Sequence, residues 1–167
     1  MKYMNGGGFQ NHPMMRWTLT LTLVLLFAFW ITSFGIYFSK MGLHPDSIVS
    51  YYNGSEEEYL PPRTFGSMLE VSHGHLAMMA LVLLLLTHLA IFIPFRDTTK
   101  KVLILGTFSA ALFSESSGWL VRFVSPVFAP LKVAGFLTLQ LLLALLLLSL
   151  AWFLWSRKIV RVENSRT

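Results

Sequence analysis

Three histidines stand in the stretch EVSHGHLAMMALVLLLLTHLAIF, residues 70–92, whose other side chains are mostly apolar. An ionisable side chain inside a bilayer is costly and normally faces a partner, a cavity or a cofactor. His73, His75 and His88 therefore carry the first candidate chemistry, ligation of a metal centre, because neutral imidazole nitrogen binds haem iron well. Positions 73 and 88 are fifteen apart. At about 100° per residue they fall about 60° apart around a helix axis, with a rise of about 22 Å. By the same rule His75 lies roughly 140° from His88.

Two histidines on one stripe, one near each leaflet boundary, are similar to the ligand spacing of membrane b-type cytochromes. Those proteins hang two haems on one helix with histidines about 13 to 15 positions apart. The resemblance implies haem b, with His88 as the inner ligand and His73 or His75 as the outer one; the angle favours His73. The other long apolar runs contain no histidine, so the facing ligand has to come from elsewhere. His44 stands just beyond the first run, and His12, Met14 and Met15 precede it. A second copy of the chain or a larger membrane complex is the further source.

The same region offers two metal sets. His75 with Met78 and Met79 joins imidazole to thioether, a soft combination suited to copper(I). Glu70, His73 and Glu115 make a harder set, nearer to what iron or zinc accepts. Met78 and Met79 serve equally as ordinary packing filler. Glu115, in LFSESSGWL, needs a partner at its depth: a hydrogen bond from Ser114, Ser117 or a histidine, its own protonation, or a pair with Arg122. Beside an outer haem, Glu70, Glu115 and Ser117 would tune the site or relay protons.

Composition defines the elements that must position these groups. Of the 167 residues, 54% are hydrophobic and 13% charged, and the mean hydropathy is +0.61; a soluble domain carries about 25% charged residues. The chain reads as an integral membrane protein. About 20 helical residues cross the hydrocarbon core, and four runs are long enough: about 17–38, 71–93, 102–124 and 131–155. The expected fold is all-α, a transmembrane four-helix bundle forming a single domain over 1–167, with one structured outer loop at about 39–70. The first run is read as a retained anchor, since no A-x-A cleavage signal follows it. With no cysteine, disulfides and covalent c-type haem at C-x-x-C-H are excluded.

Lys and Arg set the expected orientation. Lys2, Arg16, Arg96, Lys100, Lys101, Arg157, Lys158, Arg161 and Arg166 lie on one side, against Lys40, Arg63, Arg122 and Lys132 on the other. Both termini are expected to be cytoplasmic, in a bacterial inner membrane. The net charge of +5 is this bias and calls for no nucleic acid. Within the outer loop, turn signals and Pro61-Pro62 frame a short helix near 45–53 capping the helix ends. The run Glu56-Glu57-Glu58 is a solvated face or a docking site for a basic soluble cytochrome. Gly35, Gly106, Gly118 and Gly135 are expected to let helices approach closely, and Gln140 to bond across helices.

The segments SYYNGSEEEY, TFGSMLEVSHGHLAMMALVLLLLTHL and ESSGWLVRFVSPVFAPLKVAGF together resemble a group of small bacterial four-helix membrane proteins. In that group a Tyr-Tyr-x-Gly acidic loop precedes a Glu-x-x-His-x-His helix; the resemblance spans about residues 40 to 136. It supports the topology and singles out Glu70, His73, His75 and His88 without naming a reaction. Three functions follow as expectations. The leading one is b-haem electron transfer between the quinone pool and a periplasmic carrier. The others are an accessory or assembly subunit of a respiratory complex, and a copper- or iron-handling protein. An electron-transfer or accessory subunit fits better than a stand-alone enzyme, since no hydrolase, kinase or dinucleotide motif is present.

Overall fold

The computed structural model describes residues 12–156. Lys2, Arg157, Lys158, Arg161 and Arg166, which carry part of the orientation argument, lie outside the described residues. Within them the chain is all-α: α1 Pro13–Phe38, α2 Pro45–Asn53, α3 Phe65–Ala90, α4 Asp97–Phe123, a 3-10 turn Pro126–Phe128, and α5 Ala129–Trp155.

Local chemistry explains the boundaries. Pro45 stands in the first turn of α2, where its missing N–H costs nothing. α3 begins at Phe65, ahead of the expected start, because Thr64 Oγ1 accepts from the Ser67 N–H at 3.2 Å and caps the helix. It ends at Ala90, before the expected stop; the Phe92 and Ile93 N–H groups turn to the Leu89 and Ala90 carbonyls ahead of Pro94, which cannot continue a helix. The 3-10 turn starts on Ser125, whose Oγ accepts from the Val127 N–H at 3.3 Å. Thr18, Thr20 and Thr22 in α1 donate back to the carbonyls of Met14, Arg16 and Thr18, which hides three hydroxyls from an apolar surrounding.

α5 runs antiparallel to both α4 and α1. A Cβ at Gly135 would meet Ser114 Cα, while one at Gly106 would meet Leu142, so α4 descends along α5. Likewise Trp30 Nε1 donates to the Gln140 carbonyl and Arg16 lies over Trp155, which pairs α1 with α5. The termini end of the molecule thus holds Arg16 and Trp155, and the loop end holds α2.

Two apolar clusters fill the interior. Toward the termini end, Leu83 and Leu86 of α3 meet Ala110 and Ala111 of α4 and Leu143, Leu146, Leu147 and Leu150 of α5. At the loop end, Ile48 and Tyr52 of α2 close over Tyr37, Met68, Val121 and Phe136, with the Tyr37 and Phe136 rings stacked at 3.8 Å. The loop helix is therefore an integral cap, as residues 45–53 suggested.

Among the described residues three segments are long and apolar enough to cross a membrane: Pro13–Phe38, Phe65–Ala90 and Pro126–Trp155. α4 matches them in length but is diluted by Asp97, Lys100 and Lys101 at its start and by Ser114-Glu115-Ser116-Ser117 near its end. Two expectations about small and polar residues change. Gly35 has no neighbour within 4 Å of a Cβ position, so it mediates no helix contact. The Gln140 side chain makes no interhelical bond; its Oε1 is buried without a partner, while its backbone carbonyl takes the Trp30 bond.

Candidate functional site

The rotation of α3 decides what its histidines meet. Met68, Ser72, Leu83, Leu86, Thr87 and Ala90 are its buried residues, and at about 100° per residue all but Thr87, at the edge, lie on one stripe. Positions 75 and 79 continue that stripe. Glu70 and His88 fall on the opposite side and His73 on its flank, and all three are exposed.

On the inward stripe, four polar side chains of α3 and α4 join. His75 Nδ1 lies 3.2 Å from Glu115 Oε2, and Ser72 Oγ donates to Glu115 Oε1. Ser72 in turn accepts from Trp119 Nε1 at 2.8 Å. A carboxylate only accepts, so the His75 ring carries its proton on Nδ1 and leaves Nε2 directed away from Glu115. The His75 side chain is 60% exposed and that of Glu115 14%, so the carboxylate is enclosed while the imidazole forms the rim. Across the α4–α5 contact, Lys132 Nζ donates to the Ser114 carbonyl at 2.7 Å, which sets an ammonium beside the residue preceding Glu115. Room for this comes from Gly135, whose Cβ would lie 3.0 Å from Ser114 Cα.

The expected partners of Glu115 thus resolve to a histidine and a serine, but the serine is Ser72. Ser117 Oγ donates to the Ser114 carbonyl and so lies outside the Glu115 pair. Arg122 does not pair with Glu115 either: its Nε donates to the Arg63 carbonyl at 2.6 Å. The rotation does not bring Glu70, His73 and Glu115 together: Glu70 and His73 are exposed, while Glu115 is enclosed. Among the described residues no three His, Asp or Glu side chains are placed to hold a metal ion. Met79, one turn from His75 on the inward stripe, packs against the apolar core, and Met78 is exposed.

His44 occupies the N-cap of α2 and is exposed. His73 and His88 remain on the open face, His88 with its ring against Phe92 at 5.9 Å, edge to face. Ser72, Trp119 and Lys132 were not singled out by the sequence. Ser72 was findable in part, being three positions from His75 and four from Met68 on one stripe; Trp119 and Lys132 reach the cluster only through helix packing.

A family model for a transmembrane helical domain matches residues 42–161, and the chain belongs to that family. No curated protein and no solved structure matches the chain.

Proposed function

We propose that this protein is a b-haem electron-transfer subunit that works as a homodimer through α3. It would lie in the bacterial inner membrane with four spans, α4 included, and with both termini cytoplasmic. At 27 residues α4 is about 40 Å long, sufficient to cross when its polar residues face α3 and α5. Among the described residues Arg16, Arg96, Lys100 and Lys101 balance Lys40, Arg63, Arg122 and Lys132, so the orientation rests on the further Lys and Arg in the terminal sequence, Lys2, Arg157, Lys158, Arg161 and Arg166.

The observation that carries the reading is the placement of His73 and His88. Both are exposed on the outward stripe of one continuous helix, about 22 Å apart along its axis. Imidazoles facing lipid are unfavourable unless ligated or partnered. A symmetric dimer presents the same patch from both copies, so the partner's copies of the same two positions would supply the facing ligands that one chain lacks. Haem, when bound, supplies one-electron transfer between the two leaflets; the protein's part is to hold it and set its polarity. In this arrangement His75 is the inward member, held by Glu115 through Nδ1, and Glu70 lies on the haem stripe. The acidic loop would orient a soluble cytochrome, and the quinone pool would supply electrons.

A reduced-minus-oxidised visible spectrum of the detergent-purified full chain, with a pyridine haemochrome assay, tests the reading. A b-type alpha band at one haem per chain, two per dimer, is expected. A colourless protein expressed with ample haem overturns it, and leaves the outward face of α3 to an accessory role against another membrane protein.

A further inference from the structure

Two arginines at the loop end have no acidic partner. Arg122 stands in the last turn of α4, and Arg63 two residues before α3. Their backbone and side chains interlock: the Arg63 N–H donates to the Tyr52 carbonyl at 3.0 Å, and the Arg63 carbonyl accepts from Arg122 Nε. The Arg63 guanidinium lies over the Tyr51 ring at 4.4 Å, which occupies its face and leaves its N–H edge. Arg122 uses Nε alone and keeps its terminal nitrogens. The ion pairs formed among the described residues are His75–Glu115 and Lys100–Asp97, so neither guanidinium is neutralised by a carboxylate. Arginine stays charged at all accessible pH, and two such charges fixed at one helix-end plane form a complement to an anion.

What adjoins them identifies the anion. Phe65 and Phe123 contact Trp119 at 5.4 Å each, and each other at 6.0 Å. Phe65 is 61% and Phe123 47% exposed, which makes an aromatic surface open to the surroundings and continuous with the arginine pair. The Arg122 guanidinium lies over the Phe123 ring at 5.3 Å, and cations side by side with aromatic rings at a helix end match the boundary between acyl chains and headgroups. We propose that Arg63 and Arg122 bind the phosphodiester of an anionic phospholipid in the leaflet at the loop end, with its acyl chains lying along Phe65, Trp119 and Phe123. Guanidinium edges suit this ligand because they meet phosphate oxygens in pairs.

Native mass spectrometry of the full chain, titrated with phosphatidylglycerol and in parallel with an uncharged diacylglycerol, tests the site. The natural chain is expected to retain phosphatidylglycerol and not diacylglycerol. Arg63→Gln with Arg122→Gln is expected to weaken retention about tenfold to thirtyfold, and the doubly lysine-substituted chain to keep most of it. Should the double glutamine variant fail to fold, Arg63→Gln alone keeps the backbone carbonyl that accepts from Arg122 and is expected to lose several-fold. Equal retention of phosphatidylglycerol by the natural chain and a folded glutamine variant overturns the proposal, as does equal retention of diacylglycerol.

Discussion

His75 and Glu115 meet across the α3–α4 contact, Nδ1 to Oε2 at 3.2 Å, and this pairing fixes the rotation of α3. Glu115→Gln replaces a charge-assisted bond with neutral ones while keeping the shape. The variant is expected to lose about 1–2 kcal/mol of stability, read as a shift in reversible unfolding with denaturing detergent. In nitrogen-15 spectra the proton on His75 should redistribute from Nδ1 toward Nε2. An unchanged tautomer would remove the carboxylate's orienting role.

The histidine assignments separate by mutation. His73→Ala and His88→Ala are each expected to halve the haem content, whereas His75→Ala should leave it near the natural level with a modest loss of stability. Haem loss confined to His75→Ala would reverse the assignment of faces.

Gly135 and Gly35 form an internal comparison. A Cβ at Gly135 would sit 3.0 Å from Ser114 Cα and 3.1 Å from Phe113 Cδ1, so Gly135→Ala must push α5 from α4, at about 1–3 kcal/mol. At Gly35 nothing lies within 4 Å, and Gly35→Ala is expected to raise stability by about 0.5–1 kcal/mol through reduced unfolded-state freedom. The same unfolding titration reads both.

Gln140 hides an amide oxygen that nothing bonds. Replacing it with leucine removes an uncompensated polar group at similar volume, and the Trp30 bond survives because it goes to the backbone. Stability should rise by about 1 kcal/mol. A fall of that size would mean that the amide has a partner in the membrane.

Tyr52 gives a pH test outside the spanning segments. Burial first, then the neighbouring Tyr51 and Glu115 charges, push its phenol well above the ordinary tyrosine range. The folded state therefore binds the proton more tightly than the unfolded chain, whose tyrosine titrates near 10. Its contribution is complete below about pH 10 and falls above it, by about 1.4 kcal/mol per pH unit at most. Tyr52→Phe should show less loss than the natural chain between about pH 10 and 11; parallel curves would show that the ring ionises freely.

Much of this architecture is legible in the residues themselves. Long apolar runs require helices in lipid, because no other open segment satisfies its backbone there. The turn residues around 45–53 and the Pro61-Pro62 breaker mark α2 without tertiary knowledge, while α3 starts at Phe65 on its Thr64 cap rather than at the expected position of about 71. Fixed helical spacing likewise puts His73 and His88 on one stripe. The partners of those stripes are a different matter. α3 is apolar on nearly every side, so its hydrophobic pattern does not fix which face turns inward; packing against α4, with Ser72 and His75 meeting Glu115, does that. Glu115 and Arg122 are seven positions apart on α4, and only the fold sends one to His75 and the other to the Arg63 carbonyl. The sequence by itself determined the elements and their spacings, which depend on local backbone energetics. Tertiary structure alone decided the rotation of each helix, and with it which polar side chains are satisfied within the chain and which face outward.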